Sequence, residues 1–187
     1  MTTKGKLSAK EQVLSAFHLL LVEKGYINLT VQDILTRAGV GRTTFYSHFT
    51  GKEDVLRSSI GRLRDGLLHM VDVQGLRNTP LSFSLAFFQH IISHTEIYDQ
   101  LVGREEIYMF ERYFRRMLAE LVLSEICSQT HSSVQRLKVE CIAQHIAGSI
   151  WAISTWWLER KQLSAEEMNE CFRKMVLPGL EHSLKAL

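Results

Sequence analysis

The 187 residues include only 2 prolines and 11 glycines. A β-sandwich or barrel needs frequent Gly- and Pro-marked reversals, so this scarcity argues against an all-β chain and leaves a mostly helical one as the default. Cysteine is scarce as well. Cys127, Cys141 and Cys171 are odd in number and far apart, which does not make a disulfide framework and fits a reducing compartment. No run reaches the ~18 uninterrupted apolar residues of a membrane span, and the start MTTKGKLSAKEQ has no apolar signal core. A cytoplasmic location without membrane contact is expected. There is also no Ser/His/Asp set, no phosphate-binding P-loop, no GxGxxG and no carboxylate-rich inner face, so neither an enzyme nor a cofactor is expected.

What is present is ordinary for a globular protein: 45% hydrophobic and 22% charged residues, with a net charge of +2. The charge is unevenly spread. Residues 1–52 hold seven basic side chains (Lys4, Lys6, Lys10, Lys24, Arg37, Arg42, Lys52) against three acidic ones (Glu11, Glu23, Asp33), whereas the remainder is −2. The N-terminal quarter is therefore the part suited to a polyanion.

Met1 to Lys6 read as a short basic arm. Ser8 with Glu11 makes a capping box, and Val13, Leu14, Phe17, Leu20 and Leu21 repeat on one helical face up to about Lys24, where Gly25 ends the helix. Thr30 with Asp33 opens a second helix carrying Val31, Ile34, Leu35 and Ala38. Gly39-Val40-Gly41 reverses the chain, and RTTFYSHF restarts as a short helix with Phe45 and Phe49 on one face. Thr50 with Glu53 predicts a further capping box, followed by Val55, Leu56, Ile60, Leu63, Leu67 and Leu68 pointing inward. Later helices are expected at about 81–94, with Pro80 near its first turn, and at 96–102, 105–126 and 132–161. A last one runs from Ser164, capped by Glu167, to the end, with Pro178 bending it.

Two short helices around a glycine-bearing reversal form the geometry that sets a recognition helix into a DNA major groove. With Phe45 and Phe49 buried, Thr43 and Ser47 point outward, Thr44 and Tyr46 flank them, and Arg42 stands at the N-terminal end. Arg can read guanine O6 and N7, and Thr offers a hydroxyl and a methyl. Thr30 and Lys52 lie at helix N-termini, where a phosphate is favoured.

The stretch LTVQDILTRAGVGRTTFYSHFTGKEDVL resembles the DNA-binding segment of the TetR family of transcription regulators. The resemblance covers about residues 8–56, and the later helices are similar in layout to that family's regulatory domain. It implies that Tyr46, His48, Lys52 and Thr30 contact phosphates, that Arg42, Thr43 and Gln32 read bases, and that a small inducer or co-repressor binds in the C-terminal region.

Candidate lining residues for such a pocket are Met70, Phe83, Phe87, His90 and His94, with Met109, Tyr113, Cys141, His145 and Trp151 behind them. The pairs His90-x3-His94 and Cys141-x3-His145 each put two ligand types on one face, but no metal is assigned to them. The helices at 132–161 and after 164 look like the family's dimerising bundle. Small Ala143, Ala147, Gly148 and Ala152 permit close approach, and Ala147, Ile150, Trp156, Trp157, Phe172 and Met175 are the expected interface.

The sequence thus predicts an all-α chain of about nine helices. Residues 1–52 form the helix-turn-helix domain, with three helices and the basic arm, and 53–187 the ligand-binding and dimerisation domain. The expected function is that of a homodimeric repressor on a palindromic double-stranded operator, switched by a small-molecule effector through movement of the fourth helix. The competing expectation is a helix-turn-helix regulator whose C-terminal domain binds a protein partner instead.

Overall fold

A computed structural model describes residues 7–76, 79–102, 108–126 and 133–185. The expected basic arm and Cys127 lie outside the described residues. Among the described residues there are nine helices and no strand. A reader of three helices comes first: Ala9–Asn28 (α1), Val31–Ala38 (α2) and Arg42–Tyr46 (α3). Lys52–Val73 (α4) leads from it into Ser84–Ser93 (α5), Thr95–Asp99 (α6), Tyr108–Ile126 (α7), Ser133–Arg160 (α8) and Ala165–Lys185 (α9).

Local chemistry accounts for the reader. The Ser8 hydroxyl accepts from the Glu11 amide at 3.3 Å, and Glu11 returns the bond to the Ser8 amide at 2.8 Å, closing the predicted box. Gly25 interrupts α1 with φ +70°, a left-handed conformation that favours glycine, and the helix then takes one more turn to Asn28. A side chain at Gly25 would also meet Gln100 Oε1 at 3.2 Å. Thr30 and Asp33 form the second box, and Gly39 closes α2 in the left-handed region with φ 64°. Phe17, Ile34 and Phe45 are fully buried, with Phe49 stacked 5.5 Å from Phe45. The stripe read from sequence is the core of this unit.

The start of α4 differs from expectation. The Thr50 amide and hydroxyl both donate to Asp54, not Glu53, at 3.0 and 3.4 Å, because Gly51 occupies the cap position and shifts the register by one residue. Glu53 instead accepts the Tyr113 hydroxyl. On the same helix Leu68, expected inside, is exposed. The helix expected from residue 81 begins at Ser84, since Leu81 adopts φ +55°. Glu125 holds that corner by accepting from the Leu81 and Ser82 amides at 2.6 and 3.2 Å, while Arg173 donates to the Pro80 carbonyl at 2.7 Å. The helix expected from residue 105 is described from Tyr108, residues 103–107 lying outside the described part. Ser164 and Glu167 cap α9 as predicted, and α9 runs unbroken through Pro178.

Behind the reader, α7 and α8 form the most extensive helix pair, and α5 packs on α9. Phe87, Phe110, Phe114 and Trp151 stack at centroid distances of 5.1 to 5.9 Å and join these layers. Because Phe45 fastens α3 to α1 with no exposed surface, Phe45→Ala should lower the unfolding free energy by about 3–5 kcal/mol. Urea unfolding at fixed protein concentration measures this, and a loss below about 1 kcal/mol would show that α3 is held by other contacts.

Candidate functional site

Two features stand out: the exposed face of α2 and α3, and a cavity behind α1. On the face, the predicted base readers from two helices meet, since Arg42 Nη2 donates to Gln32 Oε1 at 2.7 Å. Thr43, Thr44, Tyr46, Ser47 and His48 are exposed around them. Tyr46 keeps 56% of its surface free while its ring edges against Phe45. Ser47 Oγ donates to the Thr44 carbonyl at 2.8 Å, tightening the end of α3. The Thr30 hydroxyl is occupied in its own cap, donating to Asp33 at 2.7 Å.

Two of the seven basic side chains counted from the sequence are paired with acidic residues of the same segment, which leaves its net excess unchanged. Lys24 pairs with Asp33 at 2.6 Å, and Arg37 forms a two-pronged bond with Glu23 at 2.8 and 2.6 Å. These partners hold the Asp33 carboxyl far below the usual carboxylate range and lower that of Glu23. Arg42 is in no ion pair among the described residues, and Lys4 and Lys6 lie outside them.

Lys52 is placed differently from expectation. Its ammonium donates to the carbonyls of Tyr26, Ile27 and Leu29 at 3.0, 3.3 and 2.9 Å, and sits 4.7 Å from the centre of the Tyr26 ring. Those carbonyls end α1 without helical partners, so the nearest cation satisfies them. All three donors of the ammonium are engaged inside the chain, and its desolvation lowers the Lys52 pKa.

The cavity has a volume of about 510 Å³, within the range of small-molecule sites. Its walls come from α1, α4, α5, α6 and α7. Met70, His90 and His94, predicted from sequence, line it; the His90 and His94 rings stack at 4.2 Å. His18 of α1, Ser59 and Arg62 of α4, and Tyr98 also line it and were missed. His18 carries the one signal available, a polar residue set on the apolar face of α1. Burial pushes the His90 imidazole down to about 4, with repulsion from His94 and then His18 adding to it. Burial, then Arg62 and His94, lowers His18 too.

The other expected pocket residues lie elsewhere. Phe83 and Phe87 are fully buried core, and Trp151 backs Phe110 and Phe114 from behind. Met109 accepts a weak bond from the Tyr26 hydroxyl, and Tyr113 bonds Glu53, so both brace the start of α4. Cys141 and His145 are exposed in a groove between α8 and α9, away from His90 and His94. Among the residues expected at a dimer interface, Ala147, Ile150, Trp157 and Phe172 are buried inside the protomer. Periodicity identifies a buried stripe without saying which helix covers it. Here Ala147 and Ile150 belong to the chain's own core, where Gly148 admits Arg115 of α7. Trp156 and Met175 are on the surface.

Two outcomes follow from this placement. Lys52→Met should cost about 1–3 kcal/mol of stability and leave the salt dependence of DNA binding nearly unchanged. A salt slope reduced by about one at unaltered stability would put the ammonium on a phosphate instead. For His90, the folded value lies below the unfolded ~6.5, so the contribution of the neutral buried ring is complete above ~6.5 and is lost as pH falls toward about 4. His90→Asn should flatten the fall of melting temperature across that window. An equal fall in both proteins would assign it to other groups.

The family model described as "Bacterial regulatory proteins, tetR family" matches residues 13–58, and that described as "Transcriptional regulator C-terminal region" matches residues 78–177. An uncharacterized HTH-type transcriptional regulator of Bacillus subtilis (strain 168), YxbF, is 32% identical over 77 residues, which cover 41% of this chain and 20% of that relative. A putative TetR-family regulator from Syntrophomonas wolfei str. Goettingen superposes with a TM-score of 0.67 at 22% identity, over 90% of this chain and 92% of its own. The dihydroxyacetone kinase operon activator DhaS gives 0.65 at 20% identity, over 94% and 98%. At these identities the solved structures establish the fold. The two models run through the reader and through the helices behind it, and the chain belongs to the TetR family of DNA-binding transcriptional regulators.

Proposed function

We propose that this protein is a cytoplasmic, homodimeric repressor whose hold on a palindromic operator is set by a small molecule in the cavity behind α1. The observation that carries the reading is the make-up of the cavity wall. Phe17, His18 and Leu21 come from α1, the helix on which α2 and α3 pack, while Leu56, Ser59 and Leu63 come from α4. A ligand there bears on the reader and on its support together. The division expected between residues 52 and 53 falls in the first turn of α4, which makes that helix the joint.

A coupling of about 1–3 kcal/mol would change operator affinity roughly 5- to 150-fold. A cavity of this volume favours a small molecule over a protein partner as the signal. Repression needs only occupancy of the operator, whereas activation needs a further productive contact; the relative DhaS is named an activator, so a promoter–reporter assay reads the sign directly.

One five-residue recognition helix reads few base pairs, and a two-fold pair doubles the reading. The surface that supports pairing is the outer side of α8 and α9, where exposed Met175 lines a groove with Cys141 and His145 and α8 also exposes Trp156. Selection from a random duplex pool at near-physiological salt should enrich a palindrome, bound by two chains per duplex. Arg42→Ala should lose about 1–3 kcal/mol of discrimination at one position of each half-site. Bulk binding without enrichment, or one chain per duplex, would sink the reading.

A further inference from the structure

The cavity carries charge of one sign. Its lining includes no aspartate or glutamate; its basic groups are His18 on α1, Arg62 on α4, and His90 and His94 where α5 meets α6. Arg62 forms no ion pair among the described residues. Three residues earlier on the same helix, and so on the same side of it, the Ser59 hydroxyl is buried and has no hydrogen-bond partner. Buried polar groups are seldom left unsatisfied, and one belonging to the lining of a cavity, beside a guanidinium that makes no ion pair, points to where a ligand's polar end belongs. His94 adds a ring whose Nδ1 is already taken by the His90 carbonyl at 3.0 Å, leaving Nε2 for other partners. The remainder of the lining is apolar, with Leu67, Ile97, Phe110 and Phe114 among its members.

We propose that the cavity takes an organic anion, a monocarboxylic acid whose carboxylate is met by Arg62 and the Ser59 hydroxyl and whose hydrocarbon body lies against Leu67, Ile97, Phe110 and Phe114. This rests on the reading of the cavity as the effector site. Guanidinium and carboxylate match in shape and charge, and a hydroxyl completes the donor set. Burial disfavours the charged forms of His90 and His18, whereas the Arg62 guanidinium is a permanent cation in the wall, with Glu11, outside the lining, as its carboxylate neighbour. A phosphate dianion would retain uncompensated charge in an apolar site, and an ammonium would meet Arg62 with no counter-charge in the wall.

The test uses the full chain and a neutral fluorescent probe, N-phenyl-1-naphthylamine, displaced by decanoate, 1-decanol or decylammonium below their micelle concentrations at pH 7.5. The probe should bind, and decanoate should displace it at a concentration at least about tenfold lower than either competitor of equal chain length. Arg62→Gln should bring decanoate to the level of decanol while probe binding is kept, and Ser59→Ala should weaken decanoate alone by a few-fold. Decanol or decylammonium competing as well as decanoate, or an acid preference that survives Arg62→Gln, would overturn the anion assignment and leave the cavity as an effector site. Failure of both the probe and decanoate to bind, read by calorimetry, would overturn the effector reading and this inference with it, whereas saturation by decanoate without any change in operator affinity would overturn the effector reading alone.

Discussion

The ammonium of Lys52 joins the end of α1, the entry to α2 and the start of α4. Gly25 ends the regular run of α1, and the carbonyls that follow it, on Tyr26, Ile27 and Leu29, have no helical donors. Lys52, the first residue of α4, donates to all three. Leu29 directly precedes the Thr30 cap of α2, so the same contact ties the end of α1, the entry to α2 and the start of α4. Tyr26 lies beneath the ammonium and reaches Met109 of α7 with its hydroxyl; burial, with Glu53 and Tyr113 nearby, pushes its pKa up to about 12. This contact is one of the ties between the reader and the helices behind it, beside the packing of α1 on α4 and α6.

Charge in the reader is spent mostly on internal ties. The Lys24–Asp33 and Arg37–Glu23 pairs are exposed, each worth about 0–1 kcal/mol in water, and both bridge α1 to α2. Neither pair engages Arg42, which instead donates to Gln32 across the gap between α2 and α3. A hydrogen bond at an exposed face contributes little net stability, so this pair is ordered without being locked.

Part of the cavity wall is aromatic. Phe114 touches Phe87, Tyr98, Phe110 and Trp151, and Phe88 carries the stack on to Phe172 of α9. Of these rings Tyr98, Phe110 and Phe114 line the cavity and the others stand behind them, and the Leu81 corner, held by Glu125 and Arg173, leads directly into α5. The basic groups sit on the opposite helices, α1 and α4, and at the junction of α5 and α6.

The amino-acid sequence by itself determined whatever depends on near neighbours along the chain. The Ser8, Thr30 and Ser164 boxes, the left-handed Gly39 and the Phe45/Phe49 face are settled within one or two turns, so their spacing alone specified the reader and the exposure of Arg42, Thr43 and Tyr46. The Thr50 cap falls one residue from its expected partner because Gly51 takes the cap position and brings Asp54 to Thr50, while Glu53 accepts from Tyr113, sixty residues away. Tertiary structure alone decided which buried stripe meets which helix. It turned Phe83 and Phe87 into core, moved Cys141 and His145 to an outer groove, enclosed Ala147 and Ile150 within the protomer and gathered His18, Ser59 and Arg62 around one cavity. A helical period records that a residue is covered; the identity of what covers it is a property of contacts between segments far apart in the chain.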